Sequence, residues 1–249
     1  MEKKWVGCAP ENVRKGRPQG HVPLAIVIHI MEGSLQGTDA WFRNPKAAVS
    51  AHYGVGKTGT IHQYVEESDT AFHAGNAADP AAQLVKDRPG VNPNYYTVGI
   101  EHEGFADTDW SEAMYAASSA LIRDIADRWA IPLERACVLA HREIRATKTC
   151  PGFKVDIGRL IAGARALPST ILNKTFRLKT ASRANLRKAA PSTAAPVLRV
   201  IPANAELEMS GFTDTGEKVN GNPCWYRDQE GNYLWAGATD QPNPQVSSA

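Results

Sequence analysis

The stretch that most constrains the fold is Leu24-Ala-Ile-Val-Ile-His-Ile30, an unbroken apolar run fenced by Pro23 and Gly33. With no polar alternation it reads as a strand buried on both faces, in the manner of a central strand of an α/β sheet. His29 is the anomaly. Burying a polar ring costs free energy unless something bonds it. His29 is therefore either a core histidine satisfied by a backbone carbonyl or a metal ligand in need of partners.

The rest of the chain supplies elements to surround that strand. Residues 50–55 and 61–65 flank Gly56-Lys-Thr-Gly59 and predict a hairpin, with further strands at residues 96–101 and 136–140. A short helix is expected at residues 39–44, capped by Thr38 and stopped by Pro45, with at most one turn around Gln83. Residues 110–129 carry the best helical pattern: Ala113, Ala117, Leu121, Ile122, Ile125 and Trp129 share a face. Thr108 or Asp109 can cap it, and Asp124 with Arg128 form an i,i+4 pair on the other side. A last helix, residues 155–166, places Ile157, Leu160, Ile161 and Ala164 together before Pro168. Strands alternating with helices predict an α/β domain, a central mixed β-sheet flanked by helices.

Beyond Pro168 the texture changes. Lys174, Arg177, Lys179, Arg183, Arg187 and Lys188 follow one another with no acidic residue among them. Short β patterns come next, at residues 197–201, 206–209, 225–227 and 233–235, which suggests a small all-β barrel. The expected division is residues 1–168, a basic linker or first strand at 169–182, a β domain at 183–240 and a disordered tail at 241–249.

Composition excludes several classes. The formal net charge of +2 is too small to argue for nucleic acid, and no run of eighteen apolar residues spans a membrane. Cys8, Cys137, Cys150 and Cys224 lie too far apart for a disulfide framework. The first ten residues lack an apolar leader core, so synthesis in the cytoplasm without a secretory signal is expected.

Chemistry concentrates in residues 141–150, where His141, Lys148 and Cys150 stand together before Pro151 and Gly152. Imidazole and thiolate are ligands that zinc prefers, but none of the standard zinc spacings applies, so a third ligand must come from elsewhere. Here a resemblance enters. Ile26-Val-Ile-His29, Val49-Ser-Ala-His-Tyr53, Phe72-His-Ala-Gly75, Val98-Gly-Ile-Glu101, Ala140-His-Arg-Glu143 and Lys148-Thr-Cys-Pro-Gly152 run in the order seen in the type 2 N-acetylmuramoyl-L-alanine amidases. The chain resembles these zinc hydrolases, relatives of the peptidoglycan recognition proteins, across about residues 20–160. The resemblance implies one Zn2+ per chain on His29, His141 and Cys150, with Glu101 as general base and Lys148 stabilising an oxyanion. It implies substrate contacts from His73 and Asn76. Some members use a Tyr where this chain has Ala51. The tail resembles a bacterial SH3-type domain, on Ala184-Asn-Leu-Arg-Lys-Ala-Ala-Pro-Ser-Thr193, Asn220-Gly-Asn-Pro-Cys-Trp-Tyr226 and Asn232-Tyr-Leu-Trp-Ala236.

The expected function is hydrolysis of the amide between the lactyl group of N-acetylmuramic acid and L-alanine, with peptidoglycan or muropeptides as partners. A phage or prophage endolysin released through a holin, or a bacterial autolysin, is the setting it suggests. Three alternatives stand beside it: a non-catalytic recognition module, a cytosolic muropeptide-recycling amidase, and a thiol enzyme with Cys150 as nucleophile and His141 as base. Non-catalytic relatives typically lack the third ligand, so Cys150 favours the enzyme.

Overall fold

A computed structural model of the chain describes residues 1–167 and 171–244. It divides into two compact units, Met1–Ala126 with Ile131–Leu167, and Asp127–Ala130 with Pro168–Ala249. No helix among the described residues is long and apolar enough to cross a membrane, and all four cysteines are free thiols.

The first unit contains, in chain order, β1 (Lys4–Trp5), β2 (Val13–Arg14), β3 (Ala25–Ile28), α1 (Leu35–Arg43), β4 (Tyr53–Val55), β5 (Ile61–Gln63), β6 (Thr70–Ala71), α2 (Gln83–Lys86), β7 (Thr97–His102), α3 (Glu112–Trp129, whose last three residues count with the second unit), β8 (Val138–Ala140) and α4 (Ile157–Ala166). Six strands form one sheet in the order β1-β5-β4-β7-β3-β8, and β2 pairs with β6 separately. The sheet is mixed: β3 runs parallel to β7 and β8, while β4 and β5 form the antiparallel hairpin. Every residue of β3 is buried, as its unbroken apolar run demands. Ala25 and Val27 pack with Ala74, Val85, Leu139 and Ile144 on one face.

Alternation along β7 sorts its side chains between the two faces. His102 bonds Ser118 of α3 at 2.8 Å on one face, whereas Thr97, Gly99 and Glu101 share the other. Helix α3 buries Met114, Leu121, Ile122 and Ile125. It approaches α4 closely where Ser119 Oγ donates to the Leu160 carbonyl at 3.1 Å. Gly163 permits that approach, since a Cβ there would lie 2.5 Å from Ser119 Oγ.

Three local expectations need correction. Helix α1 begins at Leu35, one turn earlier than expected, because Ser34 caps it by accepting the Gly37 N–H at 3.1 Å. Thr38 is inside the helix. Trp110 lies outside α3, whose first turn is capped by Ser111 accepting the Met114 N–H at 3.1 Å, rather than by Thr108 or Asp109. Asp124 is buried and takes the Lys3 ammonium at 2.9 Å.

The second unit is one antiparallel sheet built from β9 (Ile171–Lys179), β10 (Ala184–Arg187), β11 (Val197–Ile201), β12 (Glu206–Thr213), β13 (Trp225–Arg227) and β14 (Tyr233–Trp235). The order of its six strands is β11-β10-β14-β13-β12-β9. Phe176, Leu178, Leu186, Met209, Phe212, Tyr226 and Leu234 form its own apolar core. The basic stretch left open between linker and strand is strand β9. Its pairing with β12 sets Glu206 opposite Lys179 and Glu208 opposite Arg177, so the acids missing from the run arrive across the ladder. Of the tail expected at 241–249, residues 245–249 lie outside the described residues.

Candidate metal centre

Parallel strands end together, and their carboxyl ends are where α/β sheets place ligands. His29 follows β3 directly by one residue, His141 follows β8, and Glu101 is the penultimate residue of β7. Cys150 arrives from a loop tied to the His141 turn. The Arg142 N–H donates to the Cys150 carbonyl at 3.0 Å, and the Arg142 guanidinium donates to the Gly152 carbonyl at 2.7 Å. Gly152 makes that loop possible. Its φ is +100°, and a Cβ there would lie 2.1 Å from the Ala106 carbonyl oxygen.

These elements bring His29, His141 and Cys150 together, with one ligand atom from each within 4.8 Å of the others. His29 Nδ1 is 3.1 Å from His141 Nδ1 and 3.7 Å from Cys150 Sγ. His141 Nε2 lies 3.1 Å from the Ala74 carbonyl, which can only accept, so the ring's proton sits on Nε2 and Nδ1 is bare. The Ile30 N–H donates to Cys150 Sγ at 3.2 Å, a bond that favours the thiolate. Two neutral imidazole nitrogens and one sulfur form the donor set that zinc takes, so the residues present fit that metal.

Burial sets the electrostatics. It holds His29 well below the ordinary imidazole value, helped by the nearby His141 and His73, and brings His141 down to about 4. Burial and the neighbouring Glu101 push the Cys150 thiol up, against the Ile30 N–H. Burial, and then the Glu32 carboxylate, raise Glu101 to about 8 despite Lys148. Glu101 Oε1 is 3.9 Å from His29 Nδ1, and its Oε2 is buried with no hydrogen-bond partner among the described residues. A buried orphan acceptor beside three donors is chemistry left open for a water or a cation.

The cluster floors a cleft of about 440 Å³. Trp41, Val49 and Phe72 give it an apolar wall, while Glu32, Lys148 and Thr149 give it polar ones. Trp41 is 53 % exposed. Lys148 is exposed at this rim. Asn76 is exposed on the loop after β6 and is not among the residues lining the cleft. His73, expected from the resemblance to touch substrate, reaches the wall but is 8 % exposed, with its Nδ1 at 3.0 Å from His29 Nε2. His52 and His102 are buried outside the cluster, His102 donating from Nδ1 to the His29 carbonyl at 2.9 Å. Glu32 escapes sequence reasoning: it is a carboxylate in a loop, on a residue with φ of +52° that only the fold explains.

A mixed sheet with a histidine-cysteine cluster at its carboxyl ends defines a domain suited to hold a metal ion. The N-acetylmuramoyl-L-alanine amidase family model, Amidase_2, matches residues 19–153, and the chain belongs to that family. It is 43% identical to N-acetylmuramoyl-L-alanine amidase A of Achromobacter lyticus over 107 residues, 42% of this chain. The match spans 51% of that curated relative's length, about half. Among solved structures, a selenomethionine derivative of AmpD aligns with TM-score 0.53 and 26% identity, over 66% of this chain and 94% of that one. The amidase LysC from Clostridium intestinale URNW aligns with TM-score 0.50 and 19% identity, over 67% of this chain and 99% of that one, a likeness of fold alone.

Proposed function

We propose that the chain is a zinc-dependent N-acetylmuramoyl-L-alanine amidase that hydrolyses the amide between the lactyl group of N-acetylmuramic acid and L-alanine in peptidoglycan. The observation that carries this reading is the convergence of His29, His141 and Cys150 beside a buried carboxylate, in the cleft of a chain that belongs to this family. The matching family model and the curated relative that bear the amidase name support the substrate class. Zinc, when bound there, supplies Lewis acidity toward water and the scissile carbonyl.

The chain's own groups do the rest. Glu101 accepts a proton from the attacking water and returns it to the departing L-alanyl nitrogen, work suited to a carboxyl whose burial lets it hold a proton near neutral pH. Lys148, at the rim, faces the negative charge that develops on the carbonyl oxygen. The apolar wall of Trp41, Val49 and Phe72 orients the lactyl-alanyl segment, and Asn76 is the exposed polar group of the neighbouring loop. Presence of the third donor, Cys150, favours this over a non-catalytic recognition module. The second unit, with its separate core, is proposed as an SH3-type wall-binding module, and the combination fits an endolysin or autolysin.

The test is digestion of purified sacculi followed by identification of the new ends. Free lactyl carboxyls and L-alanine N-termini are expected, and a chelator is expected to abolish them. New reducing sugar ends, or cleavage within the stem peptide, would replace the proposed bond. Full activity after verified metal removal would replace zinc with thiol chemistry at Cys150. Removal of the chain beyond residue 167 is expected to slow digestion of sacculi while sparing soluble muropeptides, because tethering raises only local concentration.

A further inference from the structure

We propose that His73 is a positioning residue: with Thr97 and Asn94 behind it, it fixes which nitrogen of His29 is bare for the metal. The inference rests on the reading that zinc sits at His29, His141 and Cys150, and concerns groups outside that proposed ligand set.

Thr97 Oγ1 is 2.7 Å from the Pro93 carbonyl and 3.2 Å from His73 Nε2. A hydroxyl has one hydrogen and the carbonyl can only accept, so the shorter contact takes that hydrogen. The Thr97 lone pair then accepts from His73 Nε2–H. His73 is buried, and a buried imidazole without an acid partner is neutral, so its Nδ1 is bare. That nitrogen lies 3.0 Å from His29 Nε2, which must therefore donate to it. His29 is left with its lone pair on Nδ1, facing the bare Nδ1 of His141 at 3.1 Å and Cys150 Sγ at 3.7 Å. Two lone pairs at that separation repel unless a cation lies between them. The reverse chain would strip the Pro93 carbonyl of its hydroxyl and put a proton where the metal belongs.

The supporting structure is specific to this purpose. Gly99 lies on the same face of β7 as Thr97, and a Cβ there would stand 2.4 Å from His73 Cγ; only glycine leaves room for the ring. The Asn94 side-chain oxygen accepts the N–H of His73 at 3.1 Å and of Ala74 at 2.8 Å. One amide thus holds the dipeptide whose first side chain braces His29 and whose second carbonyl braces His141. Groups that orient ligating histidines in this way typically contribute about 10–100-fold to metal affinity.

The test uses the full chain loaded with zinc. Long-range proton–nitrogen correlation spectra of 15N-histidine-labelled protein report which nitrogen of each ring carries hydrogen. Protons on Nε2 of both His29 and His73 are expected; a proton on Nδ1 of His73 would overturn the proposal. Chelator competition then measures zinc affinity in variants whose metal-free melting is recorded alongside. His73→Phe, which keeps a ring without nitrogens, is expected to bind zinc about 10–100-fold more weakly. Thr97→Val is expected to weaken binding several-fold and Thr97→Ser to restore it. Wild-type affinity in a folded His73→Phe chain would overturn the brace while leaving the metal site intact. If His73→Phe does not fold, the Thr97 pair and the spectra still decide. A wild-type chain that takes up no zinc would overturn both this proposal and the metal reading beneath it.

Discussion

Acidification of the metal-free chain should unfold the first unit well before ordinary acid denaturation. His29, His52, His73, His102 and His141 are all buried, and burial is the main cause that holds each below the ordinary imidazole value. A group whose pKa falls on folding contributes stability that is complete above its unfolded value, near 6.5, and is lost as pH drops toward its folded value. His102 and His141, at about 3 and about 4, place the lower end of that window. Between pH 7 and pH 5.5 each ring that stays neutral in the fold therefore costs about 1 kcal/mol, or roughly 5–6 kcal/mol for the five. Glu101 works in the opposite direction. Its pKa rises on folding, to about 8, so the fold holds a proton that the unfolded chain releases, and the same acidification returns about 2 kcal/mol. The net loss of about 4 kcal/mol is a large share of the 5–15 kcal/mol that holds a typical domain together. Denaturant titrations of the metal-free chain across this range, followed by circular dichroism, give the slope of stability against pH. That slope should correspond to uptake of about three to four protons on unfolding at pH 5.5. Equal stability at pH 7 and pH 5.5, or uptake of one proton or fewer, would refute the claim that the five rings are held neutral.

Other expectations are simpler. Glu101→Gln should lower turnover on soluble muropeptide by about 10²–10⁴ with zinc content unchanged, and wild-type turnover would assign the proton transfer elsewhere. Gly152→Ala should destabilise the first unit by about 1–3 kcal/mol and weaken zinc binding, because the new Cβ must push the Cys150 loop from Ala106; unchanged melting and affinity would mean the loop has slack. Lys148→Ala should cost about 10²–10³ in turnover while zinc content and melting stay at wild type, read by metal analysis and a thermal scan.

Reading the sequence reached the strands that carry long local patterns. The run ending at His29 could be little else than a central strand, and residues 96–101 and 136–140 declared β7 and β8 in the same way. It failed where structure rests on distant partners. The strands β1, β2 and β6 are two residues long and exist only through pairing. The basic run became β9 because Glu206 and Glu208 of β12 meet it, and a window on the run alone contains no acid. At the site, the three residues that cluster, His29, His141 and Cys150, were singled out from residue type and the family resemblance. Thr97, Gly99 and Asn94 were not: their significance lies in contacts with His73 across more than twenty positions, or in a missing Cβ. Trp110 followed the helical rhythm of α3, yet it leaves the helix to stack on His102 at 4.0 Å between ring centroids.

His29 stands 112 positions before His141 and 121 before Cys150. An unfolded chain would have to close loops of that length before it could offer all three donors at once, so only the nine-residue pair of His141 and Cys150 can compete for metal there. Zinc should accordingly discriminate strongly between folded and unfolded molecules. At a free concentration about 100-fold above its dissociation constant, such a ligand adds about 2.7 kcal/mol to folding. If zinc occupies the site as proposed, metal supply should act as a thermostat for the first unit: the same chain is expected to be robust where zinc is plentiful and labile where it is scarce.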